Sequence, residues 1–181
     1  MAPVEVQDCK GSLDSLSLLA EHYGSDKLGH YTPFYDLVLN SRRHRVGSVL
    51  EIGIHKGASL RMWRTYFPFA MVYGIDILPE TMFEEDRIKT FALNQASVRE
   101  LISLAEKIGP FDVIVDDGSH HIDHQVGTMK TLMPYLRQHG VYIIEDVNLP
   151  VMVSDRIELE HTAIAHRHSK EEIGKCILIQ K

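Results

Sequence analysis

The stretch SVLEIGIHKGASLRMWRTYF, residues 48–67, decides the fold. It opens on an apolar run, SVLEIG (48–53), that stops at a glycine. A different periodicity then takes over. Leu60, Trp63 and Phe67 are spaced three and four residues apart, as on one face of a helix. Strand, glycine turn and amphipathic helix together make a βα unit. The run is too apolar for a sheet with one wet face, so a sheet covered on both sides is expected.

Working outward, the same alternation continues. AMVYGID (70–76) and IKTFALN (88–94) are the second and third apolar runs. SVRE (97–100) has the capping-box form and opens a helix, LISLAEKIG. FDVIVDD (111–117) is the fourth run. Val126, Met129, Met133 and Leu136 mark a helix closed by Gly140, and VYIIED (141–146) is the fifth run. RIELEHTAIAHR (156–167) and KCILIQK (175–181) supply two more strands. Towards the N-terminus, Ser12 is placed to cap a helix with Leu13, Leu16, Leu19 and Ala20 on one face, ending before Gly24. The expectation is an α/β, doubly wound, mostly parallel seven-stranded sheet with helices on both faces. Ligands then belong at the carboxyl ends of the strands, near the point where strand order reverses.

Composition bounds the rest. A chain of 181 residues, 44% hydrophobic, fits one domain spanning 1–181, with 1–45 as a helical cap segment and 46–181 as the core. A formal net charge of −6 and no basic stripe argue against nucleic acid. Cys9 and Cys176 are too far apart in sequence to suggest a disulfide framework or a zinc spacing, so a reducing cytoplasm is expected. The N-terminus has no secretory apolar region. No run approaches the roughly 20 residues that cross a bilayer, so no membrane partner is expected.

The strand ends carry the chemistry. They read Glu51-Ile52-Gly53, Asp76, Asn94-Gln95, Asp116-Asp117 and Glu145-Asp146, more carboxylates than a core can use. The first turn is E-x-G-x-x-x-G, with Gly53 and Gly57 able to let backbone approach a ligand. Glu51 would repel a pyrophosphate there and suits a cationic ligand. Asp76 is placed to accept hydrogen bonds from ribose hydroxyls. The same residues also fit a tight βα turn and a solvated acid.

The turn and the ribose acid resemble class I S-adenosylmethionine-dependent methyltransferases, which have a Rossmann-like fold. VDDGSHHIDH (115–124), IIEDV (143–147) and YGSDKLGHYTPFYD (23–36) are more narrowly similar to the macrolide sugar O-methyltransferases. They also resemble the related cephalosporin-hydroxylase and rhamnosyl O-methyltransferase group. The resemblance implies S-adenosylmethionine bound by Glu51, Gly53, Gly57, Asp76, Gln95 and Asp116. It implies Mg²⁺ on Asp117, Glu145 and Asp146, with Mn²⁺ able to substitute, and His120 as general base.

The chemistry agrees with that assignment. Asp117 and the Glu145-Asp146 pair should meet at one rim, with no Lys or Arg close by in sequence to relieve them. A hard divalent ion would do so. Histidine has an ordinary pKa of about 6.5 and can take a proton near neutrality. His121 and His124 read as helix-surface residues. A metal site from His120, His121 and His124 is disfavoured, because adjacent helical residues point apart. Trp63, Met129 and Met133 read as core. Asp26 and Lys27 are candidates to fold over the cofactor, and Lys27 is equally suited to a surface ion pair.

The acceptor implied is a small molecule with a sugar or polyketide hydroxyl. The alternatives are an unrelated hydroxyl or amine acceptor, or a non-catalytic cofactor-binding module. The chain departs from the family after the fifth run. Only nine residues, VNLPVMVSD (147–155), stand where the family has a helix and a lid, and a counterpart of the auxiliary N-terminal domain of some relatives is not expected. The rim is expected to be open or closed by another subunit. The apolar stretch Val147–Val153 suits a covered loop and a contact in a homo-oligomer.

Overall fold

The computed structural model describes residues 15–29, 31–147, 153, 156–157, 161–167 and 173–181. The helical elements are α1 (Ser15–Tyr23), α2 (Thr32–Leu39), α3 (Ala58–Tyr66), α4 (Val98–Ile108) and α5 (Ile122–Leu132). The strands are β1 (Ser48–Ile52), β2 (Met71–Asp76), β3 (Glu84–Glu85), β4 (Ile88–Ala92), β5 (Phe111–Asp116), β6 (Leu136–Ile144), β7 (His161–Arg167) and β8 (Ile173–Gln180). They form one sheet in the order β3-β4-β2-β1-β5-β6-β8-β7. β4, β2, β1, β5 and β6 run parallel, while β3, β8 and β7 join antiparallel. The seven expected strands are present, and the two-residue β3 is an addition. Strand order reverses between β1 and β5, which are hydrogen-bonded neighbours.

The apolar runs are strands because they are buried on both faces. All five residues of β1 are buried. One core lies under α1, α2 and α3 and includes Leu16, Tyr35, Leu60 and Trp63. The other lies under α4 and α5 and includes Leu101, Leu104, Val126 and Met129. Trp63 and Met129 are core, as expected, and Met133 packs against the second core from its edge. Val147 and Val153 belong to that second core, each 1% exposed, so within this chain they are covered rather than offered to a partner. The rest of that stretch, and the Ser12 cap, lie outside the described residues. No described helix is long and apolar enough to cross a membrane.

Two local expectations need correction. The helix read as running to Gly140 stops at Leu132, turns through a 3₁₀ segment at Met133–Tyr135, and β6 begins at Leu136. Pro134 is the cause, since it has no N–H for a helical bond. The register against β5 steps from Phe111↔Leu136 to Val113↔Val141, so Arg137–Gly140 bulge out of the ladder. In the capping box, Ser97 accepts from Glu100 N as expected, but Glu100 Oε2 accepts from Asn94 N rather than from the cap.

Candidate active site

A cavity of about 570 Å³ opens at the carboxyl ends of the parallel strands, within the size range of small-molecule sites. Gly53, Asp76, Gln95, Asp117, His120 and Asp146 line it. Among the sequence-derived candidates, Glu51, Gly57, Asp116 and Glu145 do not. They form the wall behind.

One half of the cavity is built by backbone turns. Gly53 has φ +94°, and a Cβ there would lie 2.2 Å from the Asp117 carbonyl oxygen. Glycine therefore lets the ends of β1 and β5 abut. Gly57 opens α3 in the left-handed conformation at φ +72°, and its missing side chain makes room for the Phe83 ring rather than for a ligand. Asp76 Oδ2 accepts from Ile54 N at 2.9 Å and from His55 N at 3.3 Å, and Oδ1 accepts from Leu78 N at 3.0 Å. A carboxylate has about four acceptor positions, so Asp76 shapes the turn and keeps acceptor capacity. Gln95 bridges two loops. Its amide donates to Asp116 Oδ1 at 2.7 Å, and its carbonyl accepts from Ser119 N at 3.0 Å. Burial pushes the Asp116 carboxyl up to about 7, against the hydrogen bond from Gln95. Asp116 is a wall residue that ties Gln95 and Tyr142 together.

The acidic half contains a residue that the sequence reading misplaced. Lys27 is 1% exposed and lies among three carboxylates. Its Nζ is 2.7 Å from Asp117 Oδ2, 2.7 Å from Glu145 Oε1 and 3.3 Å from Glu51 Oε1. It neither folds over the cavity nor pairs at the surface. Asp26, its neighbour, does line the cavity. One cation for the strand-end acids is thus supplied by the chain itself, 90 residues from Asp117 in sequence. Burial alone would lower the Lys27 pKa, but Glu145, Asp117 and Glu51 outweigh it and hold the ammonium well above its ordinary value. Burial also pushes the Glu51 carboxyl up to about 7, opposed by Lys27, and pushes Glu145 up as well. Burial, only partly offset by the one ammonium, thus makes Glu51 and Glu145 retain protons more readily. The cationic group that Glu51 meets in the structure is Lys27 of the chain rather than a ligand, and Glu51 Oε2 accepts from the Trp63 indole at 3.1 Å.

Two tyrosines from the same N-terminal region complete the network. The Tyr35 hydroxyl donates to Glu145 Oε1. The Tyr31 hydroxyl donates to Asp146 Oδ1 at 2.5 Å and accepts from Asp146 N at 3.1 Å. Gln125 from α5 donates to the Glu145 carbonyl at 3.0 Å. Neither tyrosine carried a sequence signal beyond the resemblance of YGSDKLGHYTPFYD, because nothing local in a sequence marks a partner more than a hundred residues away.

Asp117, His120 and Asp146 each offer a ligand atom, and these lie within 4.8 Å of one another. That is the only such group of three found among the described residues. The Nδ1 of His120 is buried and has no hydrogen-bond partner. Two carboxylates and an unpaired ring nitrogen fit a hard divalent ion or a proton-transfer site. Glu145, turned onto Lys27 and Tyr35, is not brought to this group. His121 caps α5, its ring accepting from Asp123 N. His124 lines the cavity, with Nδ1 2.8 Å from Ser119 Oγ. Of the five non-glycine residues with positive φ among the described residues, His55 at +47°, His120 at +56° and Asp146 at +48° line the cavity. Uncommon backbone thus collects at the site, as it does where geometry serves function.

No protein-family model matches the chain. It is 41% identical over 142 residues to an 8-demethyl-8-(2-methoxy-alpha-L-rhamnosyl)-tetracenomycin-C 3'-O-methyltransferase of Streptomyces olivaceus, covering 73% of this chain and 36% of that one. It is 37% identical over 149 residues to the mycinamicin VI 2''-O-methyltransferase of Micromonospora griseorubida, covering 77% and 37%. The structure of a mycinamycin-pathway methyltransferase in complex with Mg and SAH superposes with a TM-score of 0.70 at 36% identity, over 75% of this chain and 38% of that one. The chain therefore spans 36–37% of the length of these two curated relatives. With this identity on this topology, the chain is a Rossmann-like protein of the methyltransferase fold and a relative of the macrolide and tetracenomycin sugar O-methyltransferases.

Proposed function

We propose that the chain is the catalytic part of an S-adenosylmethionine-dependent, Mg²⁺-dependent O-methyltransferase, with Mn²⁺ able to substitute. Its acceptor is a hydroxyl of a glycosylated or polyketide-type small molecule. One observation carries this reading: a single cavity is lined on one side by Gly53, Asp76 and Gln95 and on the other by Asp117, His120 and Asp146. The named activities of the relatives support it.

Asp76 and the turn at Gly53 would hold the adenosyl ligand, with Gln95 beside them. Asp117 and Asp146, whose carboxylates reach the cavity, would hold the ion, and Glu145 stands behind them on Lys27. When bound, the cofactor offers a methyl group on a sulfonium, and a divalent ion lowers the pKa of a coordinated hydroxyl. With cofactor and acceptor in place, His120 would take the proton of the acceptor hydroxyl, and the cofactor would supply its methyl group to that oxygen and leave as S-adenosylhomocysteine. In-line placement supplies the rest of the acceleration.

Methyl transfer to a panel of rhamnosylated and other glycosylated polyketides tests this. EDTA abolishes turnover, and added Mg²⁺ restores it. His120→Ala keeps Mg²⁺ affinity and loses roughly 10²–10⁴ in turnover. Asp117→Ala loses Mg²⁺ affinity and is partly rescued by excess ion. Full turnover in chelator would sink the metal role, and metal rescue of His120→Ala would make that histidine a ligand instead.

A further inference from the structure

Lys27, Tyr31 and Tyr35 between them touch four of the five acids at the ends of β1, β5 and β6; Asp116 is held by Gln95 and Tyr142 instead. Lys27 reaches Glu51, Asp117 and Glu145, Tyr35 reaches Glu145, and Tyr31 reaches Asp146. These contacts differ in kind. Lys27 sets a positive charge 2.7 Å from an oxygen of Asp117, one of the acids that faces the cavity. An ion on Asp117 would share that carboxylate with the ammonium, and two cations that close in a partly buried place repel. Lys27 also engages Glu145 Oε1, the oxygen that Tyr35 holds too, which keeps Glu145 turned inward. Tyr31 carries no charge. It grips Asp146 twice, at Oδ1 and at the backbone N, where the residue sits at φ +48°. Aspartate tolerates that conformation, but it needs neighbours to fix it.

We propose that Lys27 and Tyr31 tune the divalent-ion site in two opposite directions. Lys27 is an internal counter-cation that weakens ion binding. Tyr31 is a positioning residue that presents Asp146 to the ion and strengthens binding. The N-terminal segment is then part of the site's ion selectivity and exchange rather than a cap on the core. The inference rests on the reading that Asp117 and Asp146 hold a divalent ion.

The test is direct titration of the whole chain with Mg²⁺ and Mn²⁺ by calorimetry, with melting curves in EDTA and in Mg²⁺. Neither needs cofactor or acceptor. Lys27→Met should melt lower than wild type in EDTA, bind Mg²⁺ at least tenfold more tightly, and regain much of its lost stability when the ion is added. Tyr31→Phe should melt close to wild type and bind Mg²⁺ at least threefold more weakly. A merely structural segment would move both affinities in the same direction or leave both alone, and either pattern overturns the proposal. If Lys27→Met does not fold, Tyr31→Phe still decides: an unchanged Mg²⁺ affinity overturns the proposal. A wild-type chain with no Mg²⁺ heat, indistinguishable from Asp117→Ala, overturns the metal reading itself, and the inference with it. A wild type that binds and variants that fail to diverge overturn the inference alone.

Discussion

A lysine with 1% of its surface exposed, held among three carboxylates, is the least expected residue in this molecule. Burying a charge is costly unless it is paired and hydrogen-bonded, and Lys27 meets that condition through groups from three separate strands. Its consequence can be measured at Glu51. Burial, only partly offset by Lys27, raises that carboxyl to about 7 in the folded chain, above the ordinary 4.5. The folded state therefore binds the proton more tightly than the unfolded one. Its contribution is fully present below pH 4.5 and is lost as pH rises through about 7. Glu51→Gln, which keeps an acceptor for the Trp63 indole, should flatten the stability curve across that window. It should remove up to about 3 kcal/mol of pH dependence, read by urea unfolding at several pH values. An unchanged slope between pH 5 and 8 would mean that Glu51 is ionised in the folded chain. The cavity-facing residues Asp76, Asp117 and Asp146 were legible in sequence, because polar groups at the ends of apolar runs have few structural uses, and His120 through the family resemblance of VDDGSHHIDH. Lys27 was not. A surface lysine and a buried one look the same until the fold brings β1, β5 and β6 together around it.

At the scale of elements, legibility followed burial. β1 and β5 were read as strands because their runs are apolar and buried on both faces, α3 because its apolar residues recur at helical spacing, and α4 because of its capping box. The end of α5 was misread because Met133 and Leu136 continue that spacing by coincidence, while Pro134 between them breaks the hydrogen bonding. Two glycines now separate by what surrounds them. A Cβ on Gly53 would strike the Asp117 backbone at 2.2 Å, at a φ of +94°. Neither can give way without moving the loop that carries Asp117 and His120. Gly53→Ala should therefore cost at least about 2 kcal/mol and weaken ligand binding with it. Gly127, inside α5, has nothing within 4 Å of an added Cβ. Gly127→Ala should stabilise the chain by roughly 0.5–1 kcal/mol, since alanine loses less backbone entropy in a helix than glycine. Chemical denaturation of the two variants side by side checks both signs. A neutral Gly53→Ala would show that the β1 turn is softer than this packing implies.

At the scale of the whole molecule, the topology puts the reversal of strand order between β1 and β5, and the cavity opens where it should for such a sheet. The chain nonetheless spans well under half of its curated relatives, so whether this portion alone holds the cofactor is an experimental matter with a definite expected answer. All the residues proposed for the adenosyl half, Gly53, Asp76 and Gln95, lie within one continuous stretch on β1, β2 and the loop after β4. None depends on the length that the relatives have in addition. S-adenosylhomocysteine should therefore raise the melting temperature of this chain by itself, without Mg²⁺ and without an acceptor. At 100 times its Kd, a ligand that binds only the folded state adds about 2.7 kcal/mol. Asp76→Ala loses the acceptor aimed at the ribose and also frees the N–H groups of Ile54, His55 and Leu78. Its affinity should fall by roughly 1–3 kcal/mol, the cost of removing a charged partner from such bonds. Asp76→Asn keeps a carbonyl for part of that turn and should fall between the two. If S-adenosylhomocysteine shifts the melt of wild type and Asp76→Ala equally, the ribose role of Asp76 is wrong. If it shifts neither, the cavity of this chain takes a different ligand.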